Sequence, residues 1–276
     1  MGKTWLIASG KGGVGKSTLA ACLGIAFTRL GSRVCIVDAD IGLRDQDAIL
    51  GQENRVVYDL VDVCNRSCRL QQALINPEQY PCLSLLPASQ FARCKELKAS
   101  AFASTMEKLR AMYDIVLIDG PAGIEKGLRN TLKANLHGAI ILCTPDDVCI
   151  RNAERVTQLF QASELPRPKL IVNRLDSSLI RIHEMYAAQV VAQTLDLELL
   201  GEIPDDPMIY RSLINHCTPM DIPCGAQDAF MRIAKRMRGE EIKLPAFGTE
   251  AVPWYKRMFQ RKLPKIAFKE VSHIDC

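Results

Sequence analysis

The sequence predicts an α/β fold, a doubly wound and mostly parallel sheet of about seven or eight strands with helices on both faces. Three observations carry that prediction. Short apolar runs alternate along the chain with longer segments of helical period. The runs are continuously apolar rather than alternating, as in strands that have helices over both faces and no wet side. Polar and glycine-rich motifs follow the carboxyl ends of several runs, the edge where ligands bind in open α/β sheets.

In chain order, "TWLIAS" at 4 to 9 reads as the first strand, and a helix follows from Lys16 to about Leu30, where Gly31 stops it. "RVCIVDAD" at 33 to 40 reads as a buried strand, as do "CLSLLPA" at 82 to 88, "YDIVLID" at 113 to 119 and "GAIILCT" at 138 to 144. "PKLIVNR" at 168 to 174 and "LELLGEIP" at 197 to 204 complete the set. Past about residue 238 the apolar period disappears into "GEEIKLPAFGTEAVP", which reads as a linker. The domain division expected is therefore 1–240 for the α/β domain, 241–253 for the linker and 254–276 for a separate tail.

A chain of 276 residues with 48% hydrophobic content can bury one substantial core, and its formal charge of +4 falls short of the field of a dedicated duplex-binding protein. No specific nucleic acid is expected. The N-terminus has neither a signal-peptide nor a transit pattern, and no run approaches the roughly 18 to 20 apolar residues that span a bilayer. The expected location is the cytoplasm. Eleven cysteines occur without a single CxxC pair, which argues against a cluster or zinc site, and a reducing compartment keeps such thiols free.

The chemistry concentrates in "SGKGGVGKST", residues 9 to 18. Gly10, four residues, Gly15, Lys16 and Ser17 satisfy the P-loop pattern, in which backbone N–H groups at a helix start surround phosphate oxygens. Side chains in place of Gly12, Gly13 or Gly15 would block that approach, and Val14 sits among them. Lys16 is the phosphate-binding lysine. The Ser17 hydroxyl suits magnesium, and Thr18 adds a hydroxyl near the phosphates. Asp119 ends the apolar run "IVLI" and is placed to hold magnesium through water, the other reading being a helix cap. Asp38 and Asp40 project the same way from the end of "CIVDAD". One would orient an attacking water and the other support the magnesium shell, unless both are solvated loop acids.

The loop with its additional Lys11, together with "DADIGLRDQDAILGQENRVVYDLVDV", "LSLLPASQ", "VLIDGPAGIEKG" and "IVNR", resembles the deviant Walker A ATPases of the ParA/MinD family over nearly the whole chain. The resemblance implies a P-loop NTPase that binds ATP and Mg2+ and hydrolyses ATP. It implies an ATP-dependent homodimer in which Lys11 crosses the interface to the phosphates held by the partner. It implies that Asp40 positions the hydrolytic water. Asn173 would recognise the adenine edge, helped by Pro204 and Asp205 in "IPDDP". For function it implies a membrane-cycling ATPase of division septum placement, with an activator of the MinE type and a septum inhibitor of the MinC type as partners. The chain departs from the family where Asn152 follows Arg151 in place of an aspartate. The contacts of Lys11 in the ADP state stay open for that reason, with Asp146 and Asp147 nearby.

The tail reads "WYKRMFQRK" from 254 to 262. On a helix Trp254, Met258 and Phe259 fall near one face, while Lys256 and Arg257 lie toward others; Tyr255, Arg261 and Lys262 complete the segment. No acid occurs from Ala251 to Phe268. Such a stripe suits an anionic membrane surface, at about 1 kcal/mol for each cation near it. The resemblance implies the same: peripheral attachment to the inner face of the cell membrane in the ATP state. Other functions within the superfamily are a flagellar-number regulator, a DNA-segregating ATPase and an iron–sulfur reductase or carrier. The aromatic residues among the tail's cations favour membrane over DNA, and the missing CxxC disfavours a cluster.

Overall fold

Residues 1–92, 96–124 and 126–245 are described by the structure, a computed structural model. Strands β1 (Lys3–Ser9), β2 (Val34–Asp38), β3 (Leu83–Leu86), β4 (Ile115–Ala122), β5 (Gly138–Cys143), β6 (Lys169–Leu175) and β7 (Leu199–Pro204) form one sheet in the order β3-β2-β4-β1-β5-β6-β7. Every ladder between them is parallel, and among the described residues the one antiparallel pairing is an isolated bridge from Ile75 to Leu85. Each strand coincides with one of the apolar runs. β4 departs most from its predicted bounds, since it continues past Asp119 through Gly120 and Pro121.

The helices are α1 (Lys16–Arg29), α2 (Gln46–Ile49), α3 (Leu60–Cys64), α4 (Leu70–Ala73), α5 (Ala99–Met112), α6 (Lys126–Thr131), α7 (Asp147–Ala162), α8 (Ser177–Arg181), α9 (Ala188–Leu195), α10 (Pro207–Ile214) and α11 (Gly225–Met237). α1 is buried along most of its length, packed on the sheet and against α11. Its end is chemically specified: Gly31 sits at φ 82°, its N–H donates to the Thr28 carbonyl, and the Ser32 N–H donates to the Phe27 carbonyl. That is the paired bonding of a Schellman motif, and only glycine adopts the required left-handed backbone without strain.

The core is continuous through the sheet, with Leu6, Ile7, Ile36, Leu117, Ile118, Ile140, Ile171 and Val172 all removed from solvent. Burial of these side chains contributes about 1.5–3 kcal/mol each relative to exposure. What matters for the site is strand order. Inserting β4 between β1 and β2 sets Asp38 directly opposite Asp119 in register, one strand away from the loop that follows β1.

Beyond α11 the chain is held at first. Arg236 donates to the carbonyls of Ile242 and Lys243 at 2.7 Å each and to that of Leu200 at 2.9 Å. The start of the segment expected as a linker is thereby tied to the sheet. Its remainder, and the whole expected tail at 254–276 with Trp254 to Lys262, lie outside the described residues. Among the described residues no helix is long and apolar enough to cross a membrane.

Candidate nucleotide site

The loop between β1 and α1 is fixed from three sides. Gly10 lies against α7 so closely that a Cβ there would fall 2.4 Å from the backbone carbon and oxygen of Asn152. The Asn173 amide donates to the Val14 carbonyl at 2.8 Å, and the Arg174 guanidinium donates to the Gly13 carbonyl at 2.9 Å. Arg174 reaches the loop because β6 bulges between Val172 and Leu175, which places Arg174 at φ 59°. Gly13 at φ 75° and Gly15 at φ 97° then turn the chain into α1, whose N-cap has no side-chain cap. The free N–H groups of that first turn point where an anion is favoured.

Beneath the loop stand three carboxylates and one cation. Lys16 Nζ lies 4.0 Å from Asp40 Oδ2 and 4.0 Å from Asp119 Oδ1, with only 7% of its side chain exposed. Asp38 is neither a solvated acid nor a free one. Its Oδ1 accepts from the Asp40 N–H at 3.0 Å and its Oδ2 from the Gln46 N–H at 3.2 Å, so it fixes both ends of the loop after β2. Asp119 is equally buried and caps no helix. Its Oδ2 accepts from the Gln46 amide at 2.8 Å, while its Oδ1 has no hydrogen-bond partner.

Burial and the neighbouring Asp119 charge push the Asp38 carboxyl well above the usual range, against the pull of its two backbone donors. Burial raises Asp119 as well, opposed by the Lys16 ammonium, the Gln46 amide and the Ser17 hydroxyl. Burial also raises Asp40, which Lys16 pulls down and Asp119 and Asp45 push up. One lysine is thus shared among more negative charge than it neutralises. Asp119 Oδ1, which has no hydrogen bond and only the Lys16 ammonium 4.0 Å away, and the Ser17 hydroxyl on the adjoining helix turn are oxygen donors of the kind that a hydrated cation such as magnesium takes. The residues fit that ion.

Above the acids opens a cavity of about 400 Å³, within the range of small-molecule sites. Gly12, Gly13, Gly15, Lys16, Ser17, Thr18, Asp40, Asn173, Pro204 and Asp205 all line it, so the segments predicted to share a site do converge. Gly12 and Gly13 have open space where a Cβ would stand, the bare cradle that phosphate groups need. Gly10, Val14, Asp38 and Asp119 do not line the cavity, and the two acids are fully buried.

Asn173 spends one amide hydrogen on Val14, and its oxygen accepts from the Arg174 N–H at 2.9 Å. One hydrogen and one lone pair are left for a ligand. Lys11 is exposed and does not line the cavity. Its charge is felt instead by Asp146, whose carboxyl burial raises but which the Thr144 hydroxyl, the Cys149 N–H and Lys11 together hold below its ordinary range. Asp146 also caps α7, accepting from Cys149 N at 3.0 Å.

Sequence reasoning missed Gln46, Arg174 and the apolar wall of Ile209, Tyr210, Leu213 and Phe230. The helical start at "DDP" was the available signal for that wall: Asp206 caps α10 by accepting from Met208 N at 2.9 Å, and Pro207 follows it. Nothing in the spacing of "RDQD" marks Gln46 as buried.

Fold and site together define a P-loop NTPase. A family model described as ParA, NUBPL iron-transfer P-loop NTPase, matches residues 1–238. The chain is 38% identical over 248 residues to the septum site-determining protein MinD of Bacillus subtilis, covering 88% of this chain and 92% of that protein. To the MinD protein of Helicobacter pylori it is 40% identical over 250 residues, with 87% and 92% covered. The solved MinC:MinD cell division protein complex of Aquifex aeolicus superposes with a TM-score of 0.82 at 34% identity, over 89% of this chain and 99% of that one. The septum site-determining MinD of Pyrococcus horikoshii complexed with Mg-ADP gives 0.76 at 25% identity, over 86% and 96%. The chain belongs to the ParA/MinD family of P-loop ATPases.

Proposed function

We propose that this protein is an ATP-dependent, membrane-cycling ATPase that takes part in placing the division septum. The observation that carries the reading is the separation of the two lysines of one loop. Lys16 is buried among the acids under the cavity, whereas Lys11 is exposed outside it, available to a second copy. The relatives, which are septum site-determining proteins, support the cellular role.

In this reading the loop N–H groups and Lys16 hold the phosphates of ATP, and Thr18 adds its hydroxyl. Ser17 and Asp119 hold magnesium, with Asp38 behind them keeping the loop after β2 in place. Magnesium, when bound, neutralises charge on the phosphate oxygens. Asp40, on the cavity wall and 15% exposed in its side chain, orients the attacking water. Asn173, Pro204 and Asp205 form the base side. Lys11 completes the partner's site, so that hydrolysis requires the dimer, as a cation supplied in trans does in other phosphoryl-transfer sites.

Dimerisation also brings two tails together. One short amphipathic helix of two or three turns binds a bilayer weakly, and a second held alongside it gains the effective concentration of an intramolecular event. ATP then places the protein on the inner face of the membrane, where a MinC-type inhibitor docks, and an activator of the MinE type triggers hydrolysis and release. Removing residues from Trp254 onward is expected to abolish ATP-dependent co-sedimentation with anionic liposomes, since it deletes both anchors that the dimer joins. Undiminished sedimentation of the shortened chain would take the tail out of the mechanism.

A further inference from the structure

The first residue of α2 touches all three elements that carry the metal-side groups. Gln46 is fully buried. Its backbone N–H donates to Asp38 on β2, and its amide nitrogen donates to Asp119 Oδ2 on β4 at 2.8 Å and to the Ser17 carbonyl in the first turn of α1 at 2.9 Å. Both amide hydrogens are used. The amide oxygen, Oε1, is buried with no hydrogen-bond partner.

A methionine or leucine would fill this volume without desolvating an amide and leaving its oxygen unpaired, an arrangement that costs stability. Packing therefore does not account for glutamine. Its two donors fix the rotation of the Asp119 carboxylate and tie it to the turn that carries Ser17. Its free oxygen is an acceptor for a donor that arrives with the ligand.

We propose that Gln46 is a positioning residue for the divalent cation: it orients Asp119 and the Ser17 turn, and Oε1 accepts from a water of the cation's shell. The inference rests on the nucleotide and magnesium reading given above. The segment that holds Gln46 also supplies Asp40, Leu43 and Asp45 to the cavity wall.

The test uses the full chain and a fluorescent ADP analogue carrying a methylanthraniloyl group, titrated with MgCl2. In the unaltered protein, nucleotide affinity should rise with Mg2+. Gln46→Met keeps length and volume and removes the donors and Oε1. The expected result is an Mg2+ midpoint shifted upward by about tenfold or more, as loss of an outer-shell ligand does, with Mg2+-free nucleotide affinity unchanged. An unshifted midpoint, or an equal loss with and without Mg2+, would overturn the assignment. Should Gln46→Met not fold, the side-chain amide NMR signals of Gln46 in the unaltered protein serve instead. They should move when Mg2+ is added to the ADP complex, and fixed signals would overturn the proposal. Absence of any Mg2+ dependence in the unaltered protein would strike the magnesium reading itself, a different result from a shift confined to the variant.

Discussion

Lys16→Ala is expected to weaken ATP binding by roughly 10- to 100-fold, since a hydrogen bond to a charged group contributes about 1.5–3 kcal/mol. The basis is position: the ammonium lies 4.0 Å from both Asp40 and Asp119, under the loop and inside the cavity lining. Removing it deletes the cation that phosphates would meet and leaves two acids to repel them. Isothermal titration with ATP and Mg2+ reads the effect directly. Affinity within a few-fold of the unaltered protein would mean that the cavity is not the phosphate site.

Lys11→Ala is expected to behave in the opposite way. Lys11 is exposed and outside the cavity lining, so a single chain should keep its affinity for ATP. Stimulated hydrolysis should fall about 10³-fold or more, the contribution of a cation delivered in trans to a phosphoryl transition state. The separation between intact binding and lost turnover is the diagnostic part. A loss of binding equal to that of Lys16→Ala would return Lys11 to its own loop.

The sheet was legible because the strands are covered on both faces. β5 and the run Val34–Val37 of β2 read as unbroken apolar runs for the same reason that they are buried, and no tertiary knowledge is needed to find them. Strand order is a different matter. That β4 enters between β1 and β2, and so aligns Asp38 with Asp119, leaves no mark on local periodicity. The acids themselves were visible as strand-end residues, but the division of labour between them was not. Asp38 turns out to use both oxygens on the backbone of its own loop, whereas Asp119 Oδ1 accepts no hydrogen bond and faces the Lys16 ammonium.

Gln46 and Arg174 were illegible for related reasons. "RDQD" has the polarity of a solvated turn, and only packing against α1 and β4 buries its glutamine. In "VNR" the alternation of a regular strand gives no reason for Arg174 to meet the P-loop, and the bulge that sends it there is a tertiary event. Gly10 shows the converse case. Its identity follows from the motif, yet the neighbour that excludes a larger residue, the Asn152 backbone, belongs to a helix more than a hundred residues away in sequence.

Whether Lys11 acts across a dimer is tested most directly by molar mass. Asp40→Ala, which removes the residue proposed to orient water, should retain ATP and run in light scattering with ATP and Mg2+ at the mass of two chains. Adding Lys11→Ala to that variant should return it to the mass of one chain with ATP still bound. A doubly substituted protein that stays dimeric with ATP would contradict the central claim.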